Sequence, residues 1–175
     1  MIRAARTRAG NRMRPAGADG LKYLAARMRT GVAIATAFDI EARPWGARCT
    51  FLATVAEEPP TVMVTLLSES PTAHAALTAG EFALNVLSRG ARTAAELFDS
   101  EAPDTFDRID WTVPRGATGP HLRADAQVVA NCSIMGHSCH GDEVTLFADV
   151  SHVFLKHLMC RELLAAALAG AGLTV

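Results

Sequence analysis

The densest group of chemically able side chains is His137-Ser138-Cys139-His140, followed by Glu143. Imidazole, thiolate and carboxylate are all metal ligands by type. Structural metal sites, however, gather their ligands from two separated pairs, and the sequence supplies no second pair, so no metal is expected. The same residues could move protons. A buried Glu143 would have a raised pKa and act as general acid or base, with His140 as donor or proton carrier. A solvated turn glutamate and a plain turn histidine are the competing readings. His74, His121, His152 and His157 are scattered, no G-x-S-x-G elbow appears, and no glycine-rich phosphate loop is present. Cys49, Cys132, Cys139 and Cys160 lack CxxC spacing, which argues for reduced thiols and not for a zinc knuckle or redox pair. Trp45, beside Gly46, is either a platform for a flat ligand or a rim or dimer-contact residue.

These side chains must be positioned by a chain of 175 residues, half apolar and 20% charged, which is the balance of one globular domain. No apolar run approaches the roughly 20 residues of a membrane span, and the first 20 residues lack the apolar centre of a secretory signal. A cytoplasmic address is expected. The net charge of -1 divides unevenly: residues 1–20 carry about +4 and the remainder about -5. With glycines and Pro15 interspersed, residues 1–20 read as a disordered basic tail and 21–175 as a single domain. Nucleic-acid binding is not expected, because the body has no basic stripe.

Periodicity places the elements. Leu21, Leu24, Ala25 and Met28 predict a short helix that stops before Gly31. Strands are predicted over 32–38, 49–55, 62–67, 82–87, 127–134 and 144–150. The acidic and prolyl stretch 57–60 must bend, since two prolines remove two amide donors. Ser70-Pro71 reads as an N-cap with proline at the first helical position, opening a helix over 71–79 that ends at Gly80. Ala91, Ala94, Ala95 and Phe98 lie on one helical face. Residues 103–120 read as loop with Phe106 and Trp111 as anchors, 136–143 as the turn between two long strands, and 161–169 as a closing helix. The class is mainly β with helical excursions, best met by an antiparallel barrel.

Five segments in order carry a resemblance. Thr30-Gly31-Val32-Ala33-Ile34-Ala35-Thr36, the stretch from Gly46-Ala47-Arg48-Cys49-Thr50-Phe51 to Glu57-Glu58-Pro59-Pro60, and Gly80-Glu81-Phe82-Ala83-Leu84-Asn85-Val86-Leu87 are the first three. Phe106 with Trp111, and Cys132 with Gly141-Asp142, complete them. Over about residues 21–152 the chain resembles the flavin reductase-like family, small NAD(P)H:flavin oxidoreductases that supply reduced flavin to two-component monooxygenases. The resemblance implies a split β-barrel and a homodimer with FMN or FAD in a groove at the subunit interface. It also implies NAD(P)H as hydride donor and a monooxygenase partner reached by diffusible flavin, with no membrane involved. The implied cofactor-binding positions are Ala47, Arg48, Cys49, Thr50, Phe51, Asn85, Phe106 and Arg108, with Trp45 and Trp111 at the substrate pocket and Glu143 and His140 as catalytic candidates.

The departures from the family pattern bear on the same site. Arg48 stands where a small residue is usual, and Phe51 replaces a serine and so deletes a phosphate donor. Thr105 takes the place of a basic residue, for which Arg108 is a possible substitute, and Glu143 replaces a histidine near the nicotinamide. Arg48 could pair with a phosphate, or reach an acidic neighbour or solvent. Two other functions stay open: an interface pocket turned to non-redox biosynthetic chemistry of the cyclase or isomerase type, and a non-catalytic accessory protein.

Overall fold

The computed structural model describes residues 12–15, 18–28 and 31–155. Helix α1 (Ala18–Met28) precedes a run of strands and follows a short strand, β1 (Arg12–Pro15). The run comprises β2 (Ala33–Phe38), β3 (Pro44–Arg48), β4 (Phe51–Glu57) and β5 (Pro60–Leu67). Helix α2 (Pro71–Ala79), strand β6 (Glu81–Leu87) and helix α3 (Arg92–Asp99) come next. A 3-10 turn (Thr105–Asp107) and the two-residue strands β7 (Trp111–Thr112) and β8 (His121–Leu122) lead to the long hairpin β9 (Ala126–His140) and β10 (Glu143–Leu155).

Local chemistry explains α2 fully. The Ser70 hydroxyl accepts from the amides of Thr72 and Ala73, Pro71 opens the first turn, and Gly80 closes the helix at φ 72 with its N–H on the Ala76 carbonyl. These are the cap residues that the two helix ends require.

The principal sheet is antiparallel in the order β3-β2-β6-β9-β10-β5-β4, with β1 added to β10. Its two outermost strands are consecutive in the chain, separated by Cys49 and Thr50 alone. Cys49 N–H donates to Ala33 O on β2, and Thr50 N–H donates to Thr65 O on β5. The chain therefore changes partner strand within two residues, and the sheet must curl until its edges meet there. This corrects the single strand predicted over 49–55: the change of partner ends one strand at Arg48 and starts another at Phe51.

Strand periodicity of two sets the inside and the outside. Val62, Val64 and Leu66 of β5 and Val144, Leu146 and Ala148 of β10 are buried in one core cluster with Leu21 and Leu24 of α1. Each of these valines and leucines stabilises the fold by roughly 1.5–3 kcal/mol relative to exposure. A second cluster joins Ile34, Phe98, Phe106, Leu122, Val129 and Phe154. Gly46 lies against the second cluster, where a Cβ would stand 2.5 Å from Cε1 of Phe98.

Three further expectations change. Residues 12–15, within the segment read as a tail, pair with β10 from Arg12 opposite Leu155 to Pro15 opposite His152, which satisfies backbone groups of that strand. The turn predicted over 136–143 contracts to Gly141-Asp142, with Gly141 at φ 62 as a two-residue hairpin prefers. Gly136 instead lies in the ladder opposite Phe147, beside a register shift. Pro60 begins β5 and does not belong to the bend, a position where a missing donor is tolerated. The helix predicted over 161–169 falls outside the described residues. Among the described residues no helix is long and apolar enough to cross a membrane.

Candidate functional site

A cleft of about 700 Å³ runs along α3 from the β6–α3 connection to Asp99, where the end of β3 meets it, within the usual size range of small-ligand sites. Gly31, Val32 and Leu87 line it together with the small side chains Ala91 and Ala95. Ser88, Arg89 and Arg92 line it from the β6–α3 connection and the first turn of α3. Helix α3 is amphipathic: Ala94, Ala95 and Phe98 are buried, while Arg92, Glu96 and Asp99 recur at i, i+4 and i+7 along the cleft. Its N-cap residue is Ala91, which makes no side-chain cap bond. The first amides of the helix thus have no side-chain acceptor, and Arg92 puts a cation at the positive end of the dipole. A chain that sets Arg89 and Arg92 at uncapped amides, with Arg48 at the other end of the same cleft, has built an electrostatic match for an anion.

Of the positions expected from the sequence, Arg48 reaches this cleft. Its Nη1 lies 3.3 Å from each carboxylate oxygen of Asp99, so in this structure it meets an acidic neighbour. Ala47 is buried beside it. Cys49 is packed against the first core, and burial pushes its thiol pKa up to about 12, which removes it as a thiolate nucleophile at neutral pH. Burial and the nearby Cys49 raise Cys132 as well. The Thr50 hydroxyl donates to Thr65 O at 3.2 Å.

Phe51, His140 and Glu143 lie elsewhere. The ladder sets Phe51 opposite Thr65, Thr65 opposite Thr145 and Thr145 opposite Ser138; two residues along, Leu67 faces Glu143, which faces His140. These residues share the outward face of β4, β5, β10 and β9. Phe51 is 53% exposed and Leu67 48%, and Met135, at the β9 irregularity, is 68% exposed. His140 Nδ1 and the Ser138 hydroxyl are 3.3 Å apart.

The remaining expected positions are taken up by the fold. Asn85 is fully buried; its amide donates to Thr36 Oγ1 and Pro120 O and accepts from Leu122 N–H. Phe106 is buried edge-on between Phe98 and Trp111, with both centroid separations 5.5 Å, and the Trp111 indole donates to Phe106 O. Trp45 donates to Asp39, whose carboxylate also accepts from the amides of Glu41 and Arg43 and from Arg43 Nε. These donors, with Trp45 foremost, hold the Asp39 carboxyl far below the usual carboxylate range. Arg108 is exposed, and its backbone N–H closes the 3-10 turn on Thr105 O.

Sequence reasoning passed over Arg89, Arg92, Glu96 and Asp99. A legible signal existed: arginines flanking a helix start with no capping side chain contradict the usual preference for anions there.

Comparison with known proteins accords with this architecture. Residues 25–165 match the family described as flavin reductase like domain. The flavin reductase (NADPH) of Lentzea aerocolonigenes is 35% identical over 128 residues, 73% of this chain and 75% of that protein. Solved structures share the fold. The NADH:FAD oxidoreductase SgcE6 of Streptomyces globisporus C-1027, in complex with NAD and FAD fragments, superposes with a TM-score of 0.64 at 24% identity over 71% of this chain and 73% of that one. The styrene monooxygenase flavin reductase of Pseudomonas putida S12 superposes with a TM-score of 0.63 at 24% identity, covering 71% and 78%. A curled antiparallel sheet matched over most of its length, and a relative of this identity, lead to one conclusion: the chain belongs to the flavin reductase-like domain family.

Proposed function

We propose that the protein uses a reduced nicotinamide nucleotide, NADH or NADPH, to reduce free FMN or FAD, which diffuses to a monooxygenase in the cytoplasm. The observation that carries this reading is the arginine-lined cleft at the uncapped start of α3 in a fold of this family. Its residues fit a phosphate-bearing ligand. Arg89, Arg92 and the first amides of α3 would hold the phosphate, and the small Ala91 and Ala95 leave room for the rest. When bound, the flavin supplies the chemistry by accepting a hydride at its ring. The protein orients the partners and keeps water out, so no side chain need react.

The outward face that carries Phe51 and Leu67 supports a homodimer, because exposed large apolar side chains on one sheet face favour a matching copy. In that arrangement His140 and Glu143, beside Leu67, border the seam, where Glu143 is the candidate proton carrier. Light scattering should give a dimer mass for the native chain and a monomer mass for the pair of changes Phe51→Asp and Leu67→Asp. A native monomer overturns the dimer.

The activity is tested by nicotinamide oxidation in the presence of FMN. Replacing Arg89 and Arg92 together by alanine should weaken FMN binding by about 10- to 100-fold, less than two buried charge-assisted contacts would cost because both arginines are exposed, while riboflavin, which has no phosphate, changes by less than about twofold. Absence of flavin-dependent oxidation of both NADH and NADPH overturns the reading.

A further inference from the structure

The Arg48–Asp99 pair is poorly explained as a stabilising contact. One nitrogen, Nη1, faces both carboxylate oxygens at 3.3 Å, and both side chains are 48% exposed. This lacks the two parallel bonds that make arginine–carboxylate pairs strong. An exposed pair of this kind contributes at most about 1 kcal/mol. Among the described residues, Nε and Nη2 of Arg48 have no partner. Asp99 is also the last residue of α3, where the helix dipole disfavours an anion. A weakly held arginine and an acid on the wrong end of its helix meet in the cleft that Arg89 and Arg92 also line.

We propose that Asp99 is a positioning residue, an exchangeable counter-ion that keeps Arg48 turned into the cleft until the phosphate of an incoming nucleotide displaces it. The flavin reading supplies only the identity of that nucleotide. With Asp99 present, three cations face two anions in the cleft; without it, three face one. Asp99 therefore sets how tightly a phosphate ester must bind to win Arg48. Ligands that have no phosphate leave the pair intact, so their affinity does not depend on Asp99.

The test compares the native full-length chain with Asp99→Asn, Asp99→Glu, Arg48→Met and the Arg48→Met, Asp99→Asn double variant. Inorganic pyrophosphate is titrated by calorimetry, FMN and riboflavin by fluorescence quenching, and NADPH and NADH are compared by KM. In about 0.05 M salt, Asp99→Asn should tighten pyrophosphate by about 3- to 10-fold, and the gain should shrink at about 0.5 M. FMN should tighten by the same factor if the flavin carries the phosphate concerned. If the nicotinamide nucleotide carries it, the KM should fall for both NADPH and NADH when the shared pyrophosphate is concerned, and for NADPH alone when the 2′-phosphate is. Riboflavin should not respond, Asp99→Glu should behave as the native chain, and the gain should vanish in the Arg48→Met background. Unchanged or weaker pyrophosphate binding by Asp99→Asn, or a gain that persists without Arg48, overturns the proposal. If native protein binds neither flavin, the reductase reading fails instead, and the pyrophosphate titrations still decide the role of Asp99.

Discussion

Replacing Gly119 by alanine is expected to destabilise the protein by about 3 kcal/mol or more, the upper range for overpacking a site that cannot relax. A Cβ at this position would stand 2.3 Å from the Thr36 carbonyl oxygen and 2.9 Å from Ala83 N. Both atoms belong to the backbone of paired central strands, β2 and β6, so neither side can move away as a side chain would. The segment around Gly119 is also bound tightly to those strands. Thr36 Oγ1 donates to Pro120 O at 2.6 Å, Thr118 Oγ1 donates to Phe82 O at 2.6 Å, and Asn85 bonds Pro120 O and Leu122 N–H. Lifting the segment by the required ångström would break several of these buried bonds together. Thermal unfolding should show a midpoint lowered by roughly 6 °C or more. Gly90→Ala, where the added methyl meets nothing within 4 Å, is the control and should shift it little. Equal midpoints for the two variants would mean that the segment does not rest on the sheet as described.

Acid should unfold the protein earlier than its carboxylates alone would dictate, because His121 is buried in its neutral form. The residue is 1% exposed, with its ring edge-on to Phe154 at 4.6 Å. Nε2 lies 3.3 Å from Asn131 Oδ1, while Nδ1 has no partner among the described residues. Asn131 Oδ1 can only accept, so the proton sits on Nε2 and Nδ1 is left bare. Burial lowers the pKa from 6.5 to about 4, and the Asn131 bond opposes this only in part.

The sign follows from which state takes the proton first. Below pH 6.5 the unfolded chain is protonated at this residue while the folded chain still resists. Stability is therefore complete above the unfolded value and is lost progressively as pH falls towards about 4. The loss reaches about 3 kcal/mol. Urea unfolding across this range should show the native protein losing about 2–3 kcal/mol more than His121→Leu, whose other acid-sensitive groups are the same. Parallel losses would show that His121 is protonated equally in both states.

Much of the fold was legible because its signals are local. Ser70, Pro71 and Gly80 mark both ends of α2 by the bonds they can or cannot make, and the alternation of Val62, Val64 and Leu66 shows which face of β5 is buried. β3 and β1 were not legible. A strand is stabilised by its partner, and the partner of β1 is β10, almost the whole chain away. The partner change at Cys49 and Thr50 was hidden for the same reason: apolar, β-branched residues run on through a point where the backbone bonds pass from β2 to β5.

The site divides likewise. The ordered segments around Thr30, Arg48, Asn85, Phe106 and Gly141 pointed to the family, since each is a short run with its own backbone or packing demand. Which of those side chains are free to meet a ligand was decided only in three dimensions. Burial commits Asn85 and Phe106 to the interior, and the turn at Asp39 draws in Trp45. Arg48 meets an acid 51 positions later in the chain and joins Arg89 and Arg92, because α3 packs its apolar face on the core and turns Asp99 towards the end of β3. Residue type and spacing thus determined the family and most of the elements, for these depend on neighbours along the chain. The assembly of the cleft depends on contacts between distant segments, and these form only when the sheet curls and the helix docks on it.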